Sequence, residues 1–235
     1  MIKLIKLELK KNNLKPYLLS VVGIFIAVIA MGLLFCAVPV LEPNDPSAQE
    51  FSDPNMIIKM VSIMSMSAFA ILSSVMHSKF VVEEYTGRKN VLLFTYPQKR
   101  SSILFAKFLL IFIFVFVMMF AVNMIACISV GFLGNAVGLI SKPFTDIGLM
   151  LKLSLIFAFV ANFIGLIALR LGFYKKSIIV PVVTSTILVS PFGNSVMLLG
   201  TDADIAFIIV GGVLLIVSAI LFGGLLKKVN RMECV

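Results

Sequence analysis

The residues of this chain that could do chemistry are few, and they crowd into one polar stretch. Glu83-Glu84-Tyr85-Thr86-Gly87-Arg88 sets a carboxylate pair close to a guanidinium, with the chain's one histidine, His77, just upstream. Paired carboxylates beside an imidazole are raw material for acid–base or metal-assisted hydrolysis. Such a site needs several polar groups converging on one point. Here the groups lie in a hydrophilic segment, and His77 reads as an interfacial residue at a helix end. The cysteines Cys36, Cys127 and Cys234 make no metal or redox spacing. The first two fall in apolar blocks, where an inert packing role is expected. No G-x-x-x-x-G-K-[ST] phosphate loop occurs, so the chain is not expected to hydrolyse ATP in that way.

The string E-E-x-x-x-R also occurs in intramembrane proteases of the CAAX type. Those enzymes need further histidines on other spans, and this chain has none. Protease chemistry is therefore not the expected function.

The elements that must position these residues are membrane helices. Of 235 residues, 60% are hydrophobic and only 13% charged, against about half and a quarter in soluble domains. The apolar residues form blocks near the roughly 20 residues that a crossing helix needs. We read six: residues 17–41, 56–76, 103–133, 147–169, 177–199 and 205–226. They are continuous, not alternating, which excludes a β-barrel. The first is too long for a signal-peptide core and is read as a retained helix. The expected fold is an all-α membrane protein of six transmembrane helices in one domain over residues 1–235.

Loop lysines and arginines mark the cytoplasmic side. With both termini cytoplasmic, 17 of the 20 basic residues and four of the eleven acids fall inside, giving +13 inside and −4 outside. Turning the chain over, or dropping a helix, destroys that segregation. The net charge of +9 thus reflects topology and anionic lipid; it calls for no nucleic-acid partner.

Residues 1–15 read as an interfacial amphipathic helix, with Ile2, Ile5 and Leu9 on one stripe beside Lys3, Lys6 and Lys10. Residues 42–55 form a proline-rich outer loop, 134–146 a second outer loop, and 170–176 a short inner one. Residues 77–102 are the longest polar stretch and lie inside. The fifth block is interrupted by Pro181, Pro191 and Gly193. Only twelve residues run from Ile178 to Val189, about 18 Å of helix, short of a roughly 30 Å hydrocarbon core. The expectation is therefore a broken span. Pro191, Phe192 and Gly193 open an outer re-entrant segment over 192–199, with a simple proline kink as the alternative.

No acid falls mid-span, unlike the ionisable groups common in ion-coupled carriers. Ser62, Ser65, Ser73, Asn123 and Asn162 are candidate pathway-lining residues. Small and polar residues in spans serve equally well in helix packing. Met56, Met60, Met64, Met66, Met118 and Met119 offer an adaptable apolar surface, with lipid contact as the plainer role.

The stretch from Phe80 to Lys107 resembles the segment between spans two and three of ABC-2-type exporter permeases. There an acidic pair and a glycine precede a leucine. A Pro-x-x-Arg turn follows, then an apolar residue and a lysine opening span three. Those positions are Glu83, Glu84, Gly87, Leu92, Pro97, Arg100, Ile103 and Lys107 here. Tyr96 stands where leucine is common, a mild departure.

The resemblance implies the permease half of an exporter, located in a bacterial plasma membrane. A separate ATPase subunit would bind ATP and magnesium; this chain would bind no cofactor itself. The segment 77–102 would form a coupling helix seated on that ATPase, with Glu83, Glu84, Gly87, Arg88, Pro97 and Arg100 as its coupling residues. A second permease half, as homodimer or close heterodimer, would complete the pathway. Short permeases of this layout resemble exporters of lantibiotics, bacitracin or phenol-soluble modulins, so an amphipathic or antimicrobial peptide is the expected cargo. Export of a lipid or hydrophobic drug is the alternative within transport. A membrane scaffold or immunity protein is the alternative outside it.

Overall fold

The computed structural model describes residues 7–9, 11, 13–86, 100–139, 146–198 and 204–230. Six long helices account for most of them, and no strand occurs among the described residues. We label them α1 (Lys15–Leu41), α2 (Pro54–His77), α3 (Arg100–Ala136), α4 (Ile147–Lys175), α5 (Ile179–Leu198) and α6 (Asp204–Asn230). Five contain an apolar block whole, and α5 covers residues 179–198 of the block 177–199. Within the described residues, four helical stretches are long and apolar enough to cross a bilayer: Lys15–Leu41, Pro54–Tyr85, Ser102–Ala136 and Ile147–Lys175. Ile179–Pro191 and Gly211–Leu225 are shorter apolar helical stretches. The chain is accordingly a multi-pass membrane protein.

Helices α2 and α4 form the centre, packed along one another. Helix α1 lies on α2 and α3, α5 lies on α2 and α4, and α6 lies on α4 and α3. Without water to drive apolar faces together, membrane helices associate where small residues let backbones approach. Gly165 of α4 is such a point. A Cβ there would overlap the Ser73 side chain of α2. Gly172 does the same against Pro181 of α5.

Three helix ends carry consequences. Asp53 caps α2, its carboxylate accepting from the Asn55 N–H at 3.1 Å, and Pro54 takes the first helical position, where no donor is needed. Helix α4 does not stop at Leu169 but runs to Lys175, through the expected inner loop. Arg170 remains helical beside Gly224 of α6. It can do so because a long side chain buries its stem and sends its charge toward the boundary. Lys176 then adopts a left-handed conformation (φ 51°). Its N–H and that of Ser177 both bond to the Gly172 carbonyl. The left-handed residue and the bond from Ser177 back to Gly172 cap the helix end and turn the chain directly into α5.

Helix α5 corrects one expectation. It is continuous from Ile179 to Leu198 with Pro191 inside it, so residues 192–198 extend the helix and do not fold back. Proline removes only its own N–H from the ladder, and neighbouring helices and hydroxyls make this tolerable in membrane helices. At 20 residues, α5 is about 30 Å long, so it needs no return segment to reach bilayer thickness. The interfacial helix expected over 1–15 lies mostly outside the described residues. So does half of 77–102, including Gly87, Arg88 and Pro97; Arg100 is described only as the first residue of α3.

Candidate functional site

The polar stretch after α2 begins without a break in the rod. His77 leads directly into a π-helical turn, Ser78–Val82, and an α-helical turn, Glu83–Thr86. A π turn widens the helix, shifts the faces of all that follows, and often marks a functional site. Lys107 of α3 donates to the Phe80 carbonyl within this turn at 3.1 Å. Ser78 Oγ donates to the carbonyl of Ile178, just ahead of α5. The turn is thereby pinned to α3 and to the residue that leads into α5.

Four charges meet at this point. Lys107 is 1% exposed, and its ammonium pairs with the Glu84 carboxylate and with Glu8 at 3.4 Å. Glu84 also accepts from Lys11, whose ammonium lies 3.2 Å from both carboxylate oxygens. Two cations and two anions therefore balance. They join the segment ahead of α1, the end of α2 and the start of α3. Removing a buried member, Lys107 or Glu84, leaves charge uncompensated, at a cost of about 3–5 kcal/mol.

Of the expected coupling residues, Glu84 is thus engaged within the chain, and Glu83 is half-buried beside it. Sequence reasoning placed Lys107 in the motif without giving it a role, and it assigned none to Glu8 or Lys11. A lysine one turn inside an apolar helix, with a carboxylate pair upstream, was the available signal for Lys107. Nothing in the spacing pointed to Glu8.

The candidate pathway residues Ser62, Ser65, Ser73, Asn123 and Asn162 are all buried. Asn123 of α3 donates to Ser62 of α2 at 3.1 Å and to Ser154 of α4 at 2.8 Å. Asn162 donates to the Ala158 carbonyl of its own helix. Ser74, not singled out from sequence, meets Ser185 of α5 at 2.8 Å. Ser65 and Ser73 hydroxyls, and both nitrogens of buried His77, have no hydrogen-bond partner among the described residues. The His77 ring instead stacks on Phe108 at 6.0 Å. These groups lie between packed helices of one chain. Among the described residues, no cluster of histidine, cysteine and acid could hold a metal.

The arrangement offers mechanical linkage: a short polar extension of α2, clamped by charge to its neighbours, would carry a force on that extension into α2 and α3 together. Neither the curated proteins nor the solved structures contain a match to this chain. A family profile described as ABC-2 family transporter protein matches residues 4–192, a range that includes Glu8, Lys11, Glu84 and Lys107. On that match, over most of its length, the chain belongs to the ABC-2 family of transporter proteins.

Proposed function

We propose that this chain is the permease subunit of an ATP-driven exporter in a bacterial plasma membrane. It crosses the membrane six times with both termini inside. It works with a separate ATPase, which holds ATP and magnesium, and with a second permease half. The observation that carries this reading is the charge cluster of Glu84, Lys107, Lys11 and Glu8, within a family of transporters. The cluster fixes the base of the segment 87–99 to the two helices that the segment joins. A push by the ATPase on that segment then moves α2 and α3 as rigid bodies. Arg88 and Arg100 supply charge for docking, while Glu84 acts as a positioning residue. The favoured cargo is an amphipathic or antimicrobial peptide drawn from the cytoplasm or inner leaflet.

Co-purification with candidate ATPases, followed by transport in vesicles, tests this reading. Reversing both Arg88 and Arg100 to glutamate should strip the ATPase from the chain, since reversal of interface charge costs about 2–5 kcal/mol. Membrane insertion should survive. Wild-type ATPase capture and transport by the reversed protein would end the coupling proposal. Orientation has its own test. With native cysteines replaced, single cysteines at Gln49 and Thr201 should react with an impermeant reagent in intact cells. One at Lys89 should react only after lysis.

A further inference from the structure

Two cationic side chains near the ends of membrane helices stand in opposite circumstances. Lys107 of α3 is paired with Glu84 and Glu8 of its own chain. Arg170 of α4 is half-buried and makes no hydrogen bond or ion pair with any described residue. The sequence around it explains why. Helices α3, α4 and α5 contain no acid, and α6 contains only Asp204, at the opposite end of that helix from Gly224 and about 30 Å away. Arg170 lies against bare backbone. A Cβ on Gly224 of α6 would stand 3.5 Å from its Nη2 and 3.8 Å from its Cζ. The guanidinium is thus held where α6 packs on α4, with its N–H donors unused.

We infer that Arg170, seated on α6 at Gly224, binds the phosphodiester of a phospholipid headgroup. A charge set into a membrane helix is costly unless it is paired. With no carboxylate on the helices around it, the anion must come from outside the chain, and the anions at a helix end in a bilayer are lipid phosphates. A guanidinium suits that partner, because its planar fork meets two phosphate oxygens at once. The rest of the helix end fits this depth. Tyr174, one turn further along α4, is 70% exposed, and tyrosines gather at the headgroups. Lys175 and Lys176 are exposed as well, and the positions of Lys227 and Lys228 follow Gly224 by one turn of α6. These basic positions favour an anionic group. A free phosphate would meet the same guanidinium without acyl chains to hold it in the bilayer. The inference needs neither the cargo nor the ATPase; only its assignment to the inner leaflet rests on the orientation proposed above.

Native mass spectrometry of the purified, delipidated full-length chain tests it, with dioleoyl phosphatidylglycerol, dioleoylglycerol and inorganic phosphate as the three probes. The first two share their acyl chains and differ by the phosphate, so the comparison on the wild-type chain needs no variant to fold. Phosphatidylglycerol should be retained about tenfold over dioleoylglycerol, the scale of one hydrogen bond to a charged group. Arg170→Gln should bring it down to the dioleoylglycerol level, and Arg170→Lys should keep part of the preference, having the charge without the fork. Gly224→Leu should also lower retention, because its side chain crowds the guanidinium without changing any charge. Lys152→Gln removes a like charge nearer the other end of α4 and should leave retention unchanged. Equal retention of the two lipids would overturn the inference. So would wild-type retention by a folded Arg170→Gln protein, or a loss in Lys152→Gln as large as that in Arg170→Gln. Displacement of the lipid by inorganic phosphate at equal concentration would assign the site to free phosphate and overturn the lipid.

Discussion

Helices α1 and α2 lie side by side, yet they are built on opposite plans. In its most apolar window α1 is 22% buried within the chain, whereas α2 is 67% buried. The more apolar helix is thus the more exposed. Leu19, Ile26 and Leu34 of α1 point outward, while Ser62, Ser65, Ser73, Ser74 and His77 of α2 are buried. In water this would be inverted; in lipid it follows from the solvent. Acyl chains are as apolar as leucine, so burying leucine gains little, while Ser62 and Ser74 meet Asn123 and Ser185 in the interior. Helix α2 also ends in the charge cluster, so one element carries both the interhelical hydrogen bonds and the candidate coupling site. Helix α1 supplies lipid contact and one wall.

The largest effect that would sharpen this contrast is expected at Lys107. Lys107→Met takes the buried cation away from Glu84 and Glu8 and should lower stability by about 3–5 kcal/mol, read from unfolding in mixed micelles. An effect near zero would mean that the cluster is solvated and not structural. Next comes Gly165→Leu, which forces α4 away from Ser73. Overpacking of this kind costs about 1–3 kcal/mol, and the same unfolding series checks it. Asn123→Leu removes bonds to Ser62 and Ser154 and should cost about 1 kcal/mol, the usual scale for interhelical hydrogen bonds in membranes. The smallest effect belongs to α1. Ile26→Ala should change stability by no more than about 0.5 kcal/mol, because its side chain exchanges one apolar neighbour for another. A loss at Ile26 as large as that at Asn123 would break the contrast between the two helices.

Much of the helix layout was legible because membrane spans announce themselves by continuous apolar length. Five blocks lie whole within a helix and the fifth lies mostly within α5, and the serines of α2 stood out as polar groups within a span. The helix ends were less legible. Arg170 looked like the start of a loop, but long cationic side chains let α4 continue to Lys175. Pro191 looked like a break, but losing a single backbone donor does not stop a helix that its neighbours support. The candidate site was half legible. Glu83 and Glu84 stood out as a pair in a polar stretch, and Lys107 stood in the matching motif. Their union with Glu8 and Lys11 is a long-range contact that no local spacing encodes. The π turn that aims Glu84 at α3 leaves no mark in the residues Ser78–Val82 themselves.

The central claim is that the Glu84–Lys107 pair transmits movement and does not merely hold the fold. The double substitution Glu84→Gln with Lys107→Met separates the two roles. Replacing a buried ion pair by neutral groups of similar size is often nearly neutral for stability, so the variant should insert, fold and still bind the ATPase. ATP turnover by the reconstituted complex, measured with and without the permease, is the direct reading. The account predicts that the permease with both substitutions no longer changes the turnover of the ATPase it binds. Wild-type stimulation by a folded double variant would contradict it.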